Sequence, residues 1–285
     1  MPWLPAQLDS LAAQTHPAWS LWVSDDGSTD GTRACLEDFA ARHPGRVERV
    51  VTGPAQGSAA NFLHLLCHPE LPAGPVALCD QDDVWDAEKL ALSLAALRGA
   101  GQAPVVWAAR YAIADAGLTR AKPSARWMRP PSLANALVQN ILSGHTLTLN
   151  AAALAHLRGA GIQPVPHHDW WIYLLMAATG ARILVDDRLV LQYRQHDANL
   201  MGARHMMRLA RLRGLFDGTM QSWISANVAA LAQVDALLTP QARELVADWQ
   251  NPDVANWRVM RRYGVHRQSL ADTGILHLAA ALGKV

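Results

Sequence analysis

The chain has 285 residues, of which 51% are hydrophobic and 17% charged, and its formal net charge is +1 at pH 7. Its length allows one large α/β domain with a helical appendage, and its composition excludes an intrinsically disordered protein. The near-zero charge excludes a global basic field for nucleic acid, so we predict no nucleic-acid partner.

Strand and helix patterns alternate along the first part of the chain. Helices are predicted at 4–14, 30–42, 57–66, 87–98, 132–138, 151–157 and 168–179, and strands at 19–24, 47–51, 75–79, 105–114, 145–149, 183–186 and 189–193. Asp30 is the predicted N-cap of the second helix. The alternation predicts a Rossmann-like α/β fold, with a mostly parallel sheet and helices on both faces. Residues beyond about 204 read as helical, so we place a boundary between a catalytic domain, 1–202, and a helical region, 203–285.

The strongest chemical signal is the run D-Q-D-D at 80–83, directly after the apolar strand at 75–79. Its carboxylates repel one another unless a cation neutralises them, and a hard divalent ion accepts carboxylates together with phosphate oxygens. Ligands of open α/β sheets bind at the carboxyl ends of the strands, where this run is expected. The alternative is an acidic helix start that favours the dipole of the helix at 87–98.

A second acidic turn, S-D-D-G-S-T-D-G-T at 24–32, also follows a predicted strand. In a nucleotide site, Asp25 or Asp26 would accept hydrogen bonds from the imide N–H of a uracil or thymine base. The alternative is a capped turn, which Asp, Gly, Ser and Thr form for local reasons. The residues alone leave both interpretations open.

Two later motifs carry further candidates. In H-H-D-W-W at 167–171, Asp169 begins an apolar helix, and a carboxylate in partly apolar surroundings can act as a general base near neutral pH. In Y-R-Q-H at 193–196, Arg194 or His196 would meet a diphosphate or a metal ion and offset the charge of a leaving group. The alternatives are a helix N-cap beside core tryptophans and a structural histidine after a strand.

Taken together and in this order, these segments resemble family 2 glycosyltransferases, most closely the bacterial rhamnosyltransferase-like members. The resemblance runs from about residue 4 to 202 and includes Q-L-D-S-L at 7–11 and S-G-H-T-L-T-L-N at 143–150. It implies a GT-A fold and an inverting, Mg²⁺- or Mn²⁺-dependent sugar transfer. The implied donor is a dTDP- or UDP-sugar, with rhamnose as the sugar. The implied acceptor is a cell-surface polysaccharide or a lipid-linked saccharide.

The resemblance also implies roles for individual residues. The implied nucleotide-binding residues are Asp25, Asp26 and Asp80, and the implied metal ligands are Asp80, Asp82 and His196. Asp169 would deprotonate the acceptor hydroxyl. Further candidates for the site are Asp83, Gly144, His145 and Arg194.

Two other functions fit parts of the pattern. A nucleotidyltransferase that makes nucleotide sugars uses a related scaffold, although the Gly-rich, basic loop that it needs is not visible. A non-catalytic binding protein with the same fold is the other alternative. Family members usually begin with an apolar strand ahead of the first helix, and this chain starts at the helix. We therefore expect either a start codon upstream or a damaged donor site.

The cysteines and the basic segments bear on location. Cys35, Cys67 and Cys79 form no CxxC pair and no disulfide framework, which favours a reducing cytoplasm. No signal-peptide pattern is visible, and no apolar run reaches the about 20 residues of a membrane span. Residues 204–213 form a basic amphipathic pattern that either lies on an anionic membrane surface or packs on the catalytic domain. The resemblance favours peripheral contact at the inner face of the cell membrane.

Overall fold

The computed structural model describes residues 2–196 and 218–285. Its strands are Leu21–Asp25 (β1), Val47–Thr52 (β2), Val76–Ala77 (β3), Val84–Trp85 (β4), Val105–Ala114 (β5), Ala121–Pro123 (β6), Thr148–Leu149 (β7) and Arg182–Arg194 (β8). Its α-helices are Leu4–Ala12 (α1), Thr32–Arg42 (α2), Ser58–Leu66 (α3), Lys89–Leu97 (α4), Leu133–Ala136 (α5), Ala151–Ala160 (α6), His168–Ala178 (α7), Thr219–Gln233 (α8), Pro240–Gln250 (α9), Asn256–Arg262 (α10) and Leu270–Ala281 (α11). The 3-10 turn Gly144–Thr146 directly precedes β7.

The strands form two sheets. β1 and β2 pair in parallel, from Leu21 beside Val47 to Asp25 beside Thr52. The second sheet has the strand order β3-β7-β5-β8-β4, and β6 pairs with the end of β5. No strand pairing joins the two sheets within the described residues, and β1 and β3 are end strands. The sequence analysis predicted that an apolar strand ahead of α1, usual in the family, is missing here. This stays a prediction.

Pairing direction differs between the long and the short ladders. The long ladders, β1 with β2 and β5 with β8, are parallel. The short ladders of β3, β4, β6 and β7 are antiparallel. Parallel neighbours need a long crossover, which α2 supplies between β1 and β2, whereas a short turn joins β5 to β6. The expectation of a mostly parallel sheet therefore holds for the long ladders and not for the short ones.

β8 is one continuous strand where the sequence pattern predicted two. The polar residues Asp186, Asp187 and Arg188 interrupt the apolar alternation, and the pairing of β8 with β5 shifts register there before it resumes. Arg188 donates to Asp186 within this irregularity. β4 and β6 were not predicted, because strands of two or three residues are too short to show an alternating pattern.

Alternate residues of β5 face two apolar clusters, because successive side chains of a strand point to opposite faces of its sheet. Val106 and Ala108 belong to the larger cluster, which contains most of α7 and the C-terminal helices. Trp107 and Ala109 belong to the smaller cluster, which α1, α2 and α4 cover. Helices therefore pack on both faces of the sheet, as predicted.

The elements described after residue 218 are helical, as predicted. Ile224 and Leu231 of α8 are buried in the larger cluster, so this region packs against the sheet and α7. The predicted boundary near Gly202 and the basic segment 204–213 lie outside the described residues. Among the helices that are described, none combines the length and the apolar character needed to cross a bilayer.

Candidate active site

The D-Q-D-D run forms the turn between β3 and β4 at one edge of the second sheet. β3 and β5 run in the same direction because both pair antiparallel with β7. β5 and β8 are parallel, so the carboxyl ends of these three strands point to one edge. Asp80 follows β3 at this edge, and Arg194 ends β8 there. This is the edge where open α/β sheets bind ligands.

Asp80, Asp83 and His145 converge at this edge and are called here the Asp-Asp-His cluster. His145 Nδ1 lies 3.5 Å from Asp80 Oδ2 and 3.3 Å from Asp83 Oδ2. The side chain of Asp83 is fully buried, whereas that of Asp80 is 32% exposed. One ligand atom from each of the three residues lies within 4.8 Å of the others. Two carboxylates and an imidazole in this arrangement form a possible site for a divalent cation.

Burial leaves part of the cluster without hydrogen-bond partners. Asp83 Oδ2 and His145 Nε2 are buried and make no hydrogen bond within the described residues. Burial raises the pKa of Asp83 to about 7. For His145, burial lowers the pKa, but the charges of Asp83 and Asp80 outweigh burial and leave it raised. Buried polar groups without partners are rare and costly, so the donor set fits a bound cation that would satisfy them.

The charge of His145 also acts on Asp80. Burial alone would raise the pKa of Asp80, but the hydrogen bond and the charge of His145 outweigh it and leave the pKa lowered. The two carboxylates of the cluster therefore differ in protonation tendency. Asp80 stays ionised at neutral pH, whereas Asp83 gains or loses its proton near neutral pH.

A buried lysine that the sequence analysis missed lies against the cluster. Lys89 begins α4, its side chain is fully buried, and its Nζ donates to the backbone oxygen of His145 at 2.9 Å. Burial lowers its pKa to about 7, although the nearby carboxylates of Asp83 and Asp80 favour the charged form. Lys89 therefore holds the backbone of His145 and places positive charge behind the carboxylates. The available signal was one lysine in the otherwise apolar run K-L-A-L-S-L.

Asp82 lies in a second group beside the cluster. Its Oδ2 is 2.8 Å from His196 Nε2, and the His196 ring stacks on Trp3 with centroids 5.7 Å apart. The Arg194 guanidinium lies 4.4 Å from the Trp3 ring centroid, and its Nε donates to the backbone oxygen of Asp82 at 3.0 Å. The three implied metal ligands are thus divided, with Asp80 in the cluster and Asp82 paired with His196. Trp3 had no predicted role.

Asp169 is the second residue of α7 and contacts the residue that precedes His145. Its Oδ2 accepts a hydrogen bond from the backbone N–H of Gly144 at 3.2 Å, and Gly144 directly precedes His145. A Cβ on residue 144 would lie 2.7 Å from His168 Nε2 and 3.3 Å from Asp169 Cβ. The lack of a side chain at Gly144 therefore lets the 3-10 turn touch the start of α7 and holds Asp169 beside the cluster.

His168 is a further residue of this contact that had no predicted role. Its ring is buried and stacks on Phe62 with centroids 4.0 Å apart. Burial lowers its pKa, and its Nε2 makes no hydrogen bond within the described residues. A neutral imidazole therefore lies against the 3-10 turn at Gly144, beside Asp169. The H-H-D-W-W motif contained this residue, but sequence alone did not show which of its two histidines turns inward.

Asp25 is held by its own turn. Its side chain is buried, its Oδ1 accepts a hydrogen bond from Ser28 N at 2.9 Å, and its Oδ2 pairs with Arg33 Nε at 2.9 Å. The hydrogen bonds with Ser28 and the contacts with Arg33 outweigh burial and lower the pKa of Asp25. This is the arrangement that a capped turn predicts.

Asp26 ties β1 to the loop after β2. Its Oδ1 accepts from Ala55 N at 2.6 Å and its Oδ2 from Gly57 N at 3.0 Å. Ala55 and Gly57 have φ angles of 56° and 89°, in the left-handed region, so this loop is tightly bent. The oxygens of Asp25 and Asp26 thus have partners within the fold, and the implied contact with a base stays a prediction. Asp30 accepts from Thr32 N at 3.1 Å, but α2 begins at Thr32 and its N-cap is Gly31, one residue after the predicted cap.

Known proteins share this sequence pattern. Residues 2–154, more than half of the chain, match Glycosyl transferase family 2. The chain is similar to the dTDP-rhamnosyl transferase RfbG of Shigella flexneri, with 25% identity over 206 residues, 70% of this chain and 71% of that protein. It is also similar to an uncharacterized Mycobacterium tuberculosis protein, with 26% identity over 192 residues, 66% of this chain and 54% of that protein. The chain therefore spans about half the length of this second relative.

Solved structures share the fold. The mannosyltransferase PcManGT of Pyrobaculum calidifontis, in complex with GDP-Man and Mn²⁺, has a TM-score of 0.53 and 19% identity, covering 99% of this chain and 83% of that one. TarS 1-349 of S. aureus, in complex with UDP-GlcNAc, has a TM-score of 0.54 and 18% identity, covering 93% and 89%. These likenesses confirm the GT-A form of the α/β fold. Together with the family match, they identify the chain as a glycosyltransferase that belongs to glycosyl transferase family 2.

Proposed function

We propose that this glycosyltransferase moves a sugar from a nucleoside diphosphate to an acceptor hydroxyl in one inverting displacement, with Asp169 as the general base. One contact carries the proposal: Asp169 accepts from the N–H of Gly144, and the next residue, His145, contacts Asp80 and Asp83. The proposed base and the carboxylates that suit the donor's cation are therefore linked through the adjacent residues Gly144 and His145.

Asp169 has the environment of a positioned base. The N–H of Gly144 bonds its Oδ2, and the N–H of Trp170 bonds its Oδ1 at 2.7 Å, so both oxygens are oriented by the backbone. Its side chain is only partly buried, which leaves a route for an acceptor hydroxyl. In the proposed step the hydroxyl attacks the anomeric carbon as its proton passes to Asp169, while the bond to the diphosphate breaks. General-base catalysis typically contributes about 10²- to 10⁴-fold in rate.

A divalent cation fits the residues at the sheet edge. Asp80, Asp83 and His145 would hold it, and Asp82, which pairs with His196, lies between Asp80 and Asp83 in the same turn. When bound, Mg²⁺ or Mn²⁺ would offset the charge that develops on the departing diphosphate. Imidazole in the donor set favours Mn²⁺ over Mg²⁺, which prefers oxygen ligands. The PcManGT structure, in complex with GDP-Man and Mn²⁺, supports the same assignment.

The donor and the acceptor are proposed from the relatives. A dTDP- or UDP-sugar is the proposed donor, with its base beside Asp25 and Asp26, and rhamnose is the proposed sugar. The dTDP-rhamnosyl transferase RfbG and the UDP-GlcNAc complex of TarS support this choice. The proposed acceptor is a cell-surface polysaccharide or a lipid-linked saccharide, used in the cytoplasm with peripheral contact at the inner membrane face.

Product analysis with Asp169→Asn tests the proposal. The wild type should release nucleoside diphosphate from dTDP-rhamnose or a UDP-sugar in the presence of acceptor and Mn²⁺. Asp169→Asn should lower this rate by about 10²- to 10⁴-fold with nucleotide affinity retained. Asp253→Asn, an exposed carboxylate in the C-terminal region, is the matched control. Release of pyrophosphate from a nucleoside triphosphate would instead identify a nucleotidyltransferase, and nucleotide binding without any release would identify a binding protein.

A further inference from the structure

Basic residues are concentrated in one stretch of a chain that is almost neutral overall. No Asp or Glu occurs between Asp115 and Asp169. Within this stretch, residues 116–131 are called here the cationic strap. The basic residues of the strap are Arg120, Lys122, Arg126 and Arg129. An acid-free basic segment on a chain with net charge +1 indicates a local anionic partner.

The beginning of the strap lies beside the D-Q-D-D turn. The backbone oxygen of Ala116 accepts a hydrogen bond from the Arg194 guanidinium, and Arg194 Nε donates to the backbone oxygen of Asp82. β6, which is part of the strap, pairs with Ala112–Ala114 at the carboxyl end of β5. The first half of the strap therefore lies at the same sheet edge as the Asp-Asp-His cluster.

The far end of the strap reaches the side of the site that holds Asp169. Trp127 Nε1 donates to the backbone oxygen of Ile141 at 3.1 Å, three residues before Gly144. Ser132, directly after the strap, donates its N–H to the Tyr173 hydroxyl at 3.0 Å, one turn along α7 from Asp169. The strap thus connects the metal side of the site to the side of the general base.

The middle of the strap is fixed by side chains from outside it. The buried Arg110 donates to the backbone oxygen of Ser124. Gln268 Oε1 accepts from the N–H groups of Met128 and Arg129 at 2.7 and 3.0 Å, and Gln268 Nε2 donates to the Arg129 carbonyl at 3.1 Å. Backbone held in this way fixes the positions from which the basic side chains extend, so less backbone entropy is lost when they bind.

Among the described residues, most of the basic side chains of the strap have no anion beside them. Arg120 lies 3.7 Å from Asp115, at the start of the strap. Lys122, Arg126 and Arg129 form no ion pair with any residue in 2–196 or 218–285. Lys122 and Arg126 are exposed. Three unpaired cations within eight residues repel one another, and a phosphate group would relieve this repulsion through charge-assisted hydrogen bonds.

We propose that Lys122, Arg126 and Arg129 bind the phosphate groups of a phosphate-bearing acceptor and hold it beside Asp169. The proposal rests on the proposed function, because it names the acceptor class of that site. The carboxylates of Asp80, Asp82 and Asp83 would repel an anionic acceptor without these cations. Phosphate attached to a lipid and phosphate on a soluble saccharide share this chemistry.

Binding of two phosphate probes tests the proposal. Farnesyl diphosphate and glucose 1-phosphate are titrated into the full chain by calorimetry, with and without saturating UDP and Mn²⁺, so that the donor's own diphosphate site is filled in one arm. We expect the wild type to bind at least one probe in both arms. Tighter binding of farnesyl diphosphate identifies a lipid-linked phosphate, and tighter binding of glucose 1-phosphate identifies a soluble one.

The variant K122Q/R126Q/R129Q should bind that probe at least about tenfold more weakly, since each lost arginine or lysine removes a charge-assisted contact. The matched control, R258Q/R261Q/K284Q, removes three exposed basic residues from the C-terminal region and should bind as the wild type does. Equal binding by the strap variant and the control, or no binding of either probe by the wild type, overturns the proposal. Failure of the proposed function would be seen separately, as absence of nucleoside diphosphate release by the wild type with any donor.

Discussion

The two acidic turns, 24–32 and 80–83, both follow a strand but differ in how their carboxylates are satisfied. In the first turn, Asp25 and Asp26 use both of their oxygens on backbone N–H groups and on Arg33. In the second, Asp83 keeps a buried oxygen without a hydrogen bond, and Asp80 and Asp83 share the single imidazole of His145.

This difference separates carboxylates that stabilise the fold from carboxylates that suit a bound ligand. A carboxylate that accepts local hydrogen bonds contributes to stability, and its pKa falls, as for Asp25. Asp83 accepts one hydrogen bond, from Arg194 N at 3.3 Å, and its other oxygen accepts none, so burial dominates and its pKa rises. Proteins retain such groups where they act on a ligand. The second turn therefore has the properties of a binding site, whereas the first is built as a scaffold.

Of the substitutions in the two acidic turns, Asp80→Asn should have the largest effect on activity and a small one on stability. We expect turnover to fall by about 10²- to 10³-fold, because a group that stabilises developing charge is removed. The free energy of unfolding should fall by a small amount, because the lowered pKa of Asp80 means that its ionised form contributes to stability, while its loss relieves repulsion with Asp83. Nucleoside diphosphate release and urea denaturation measure the two quantities. Normal turnover together with a clear loss of stability would show that Asp80, like Asp25, has only a structural role.

Gly144→Ala should damage the link between the cluster and the base. The added methyl would come within 2.7 Å of His168 Nε2, so the 3-10 turn or α7 must shift. Displacement of catalytic groups by about 1 Å can lower turnover about 10²-fold, and overpacking typically costs about 1–3 kcal/mol of stability.

The control for this prediction is Gly274→Ala, in α11, where a Cβ would meet no atom within 4 Å. This substitution should leave turnover unchanged and raise the free energy of unfolding by about 0.5–1 kcal/mol, because alanine is favoured over glycine inside a helix. If Gly144→Ala behaved like the control, the contact between Gly144 and Asp169 would have no part in catalysis.

Asp26→Ala should give the reverse of the Asp80 pattern. The N–H groups of Ala55 and Gly57 would lose their acceptors, which should lower the free energy of unfolding by about 1–2 kcal/mol. Because the proposed base site is built on this turn, we also expect the Kd for UDP or dTDP to rise, with a smaller loss of turnover than for Asp80→Asn. An unchanged Kd would show that the nucleotide base does not bind at this turn and that Asp26 has only a structural role.

Asp25→Asn should have the smallest effect, a modest loss of stability near neutral pH that disappears in acid. The pKa of Asp25 is lowered in the folded chain, so its ionised form contributes stability above its ordinary pKa, and this contribution is lost as pH falls below about 4. The wild type should therefore lose stability more steeply than Asp25→Asn between about pH 4 and pH 2. Urea unfolding at a series of pH values measures the two slopes, and parallel slopes would contradict the role assigned to Arg33 and Ser28.

The features predicted well from sequence are those that depend on local patterns. The apolar spacing of α1 and the buried run of β5 indicate their elements directly, and the sequence also places Asp80 after a strand and Asp169 in the first turn of a helix, as in the structure. Contacts between distant segments could not be predicted. His145 meets Asp83 because β3 and β5 both pair with β7, and Lys89 is a site residue only because α4 buries it against that meeting point.

The division of the implied metal ligands has the same origin. Spacing within D-Q-D-D cannot show that Asp80 turns toward His145 while Asp82 pairs with His196, since both histidines come from distant elements. The structural role of Asp25 and Asp26 was equally ambiguous, because capping residues and base-binding residues have the same composition. Long-range packing settles which oxygen atoms remain without partners, and a single sequence does not encode that locally.

Calorimetric titration of the wild type and Asp83→Asn with UDP and dTDP, each with and without Mn²⁺, tests the central claim most directly. If the cluster of Asp80, Asp83 and His145 holds the cation of the donor, the wild type should bind one of the nucleotides tightly only with Mn²⁺. Asp83→Asn should lose most of that dependence while remaining folded. Nucleotide binding that is independent of Mn²⁺, or unchanged in Asp83→Asn, would contradict the account.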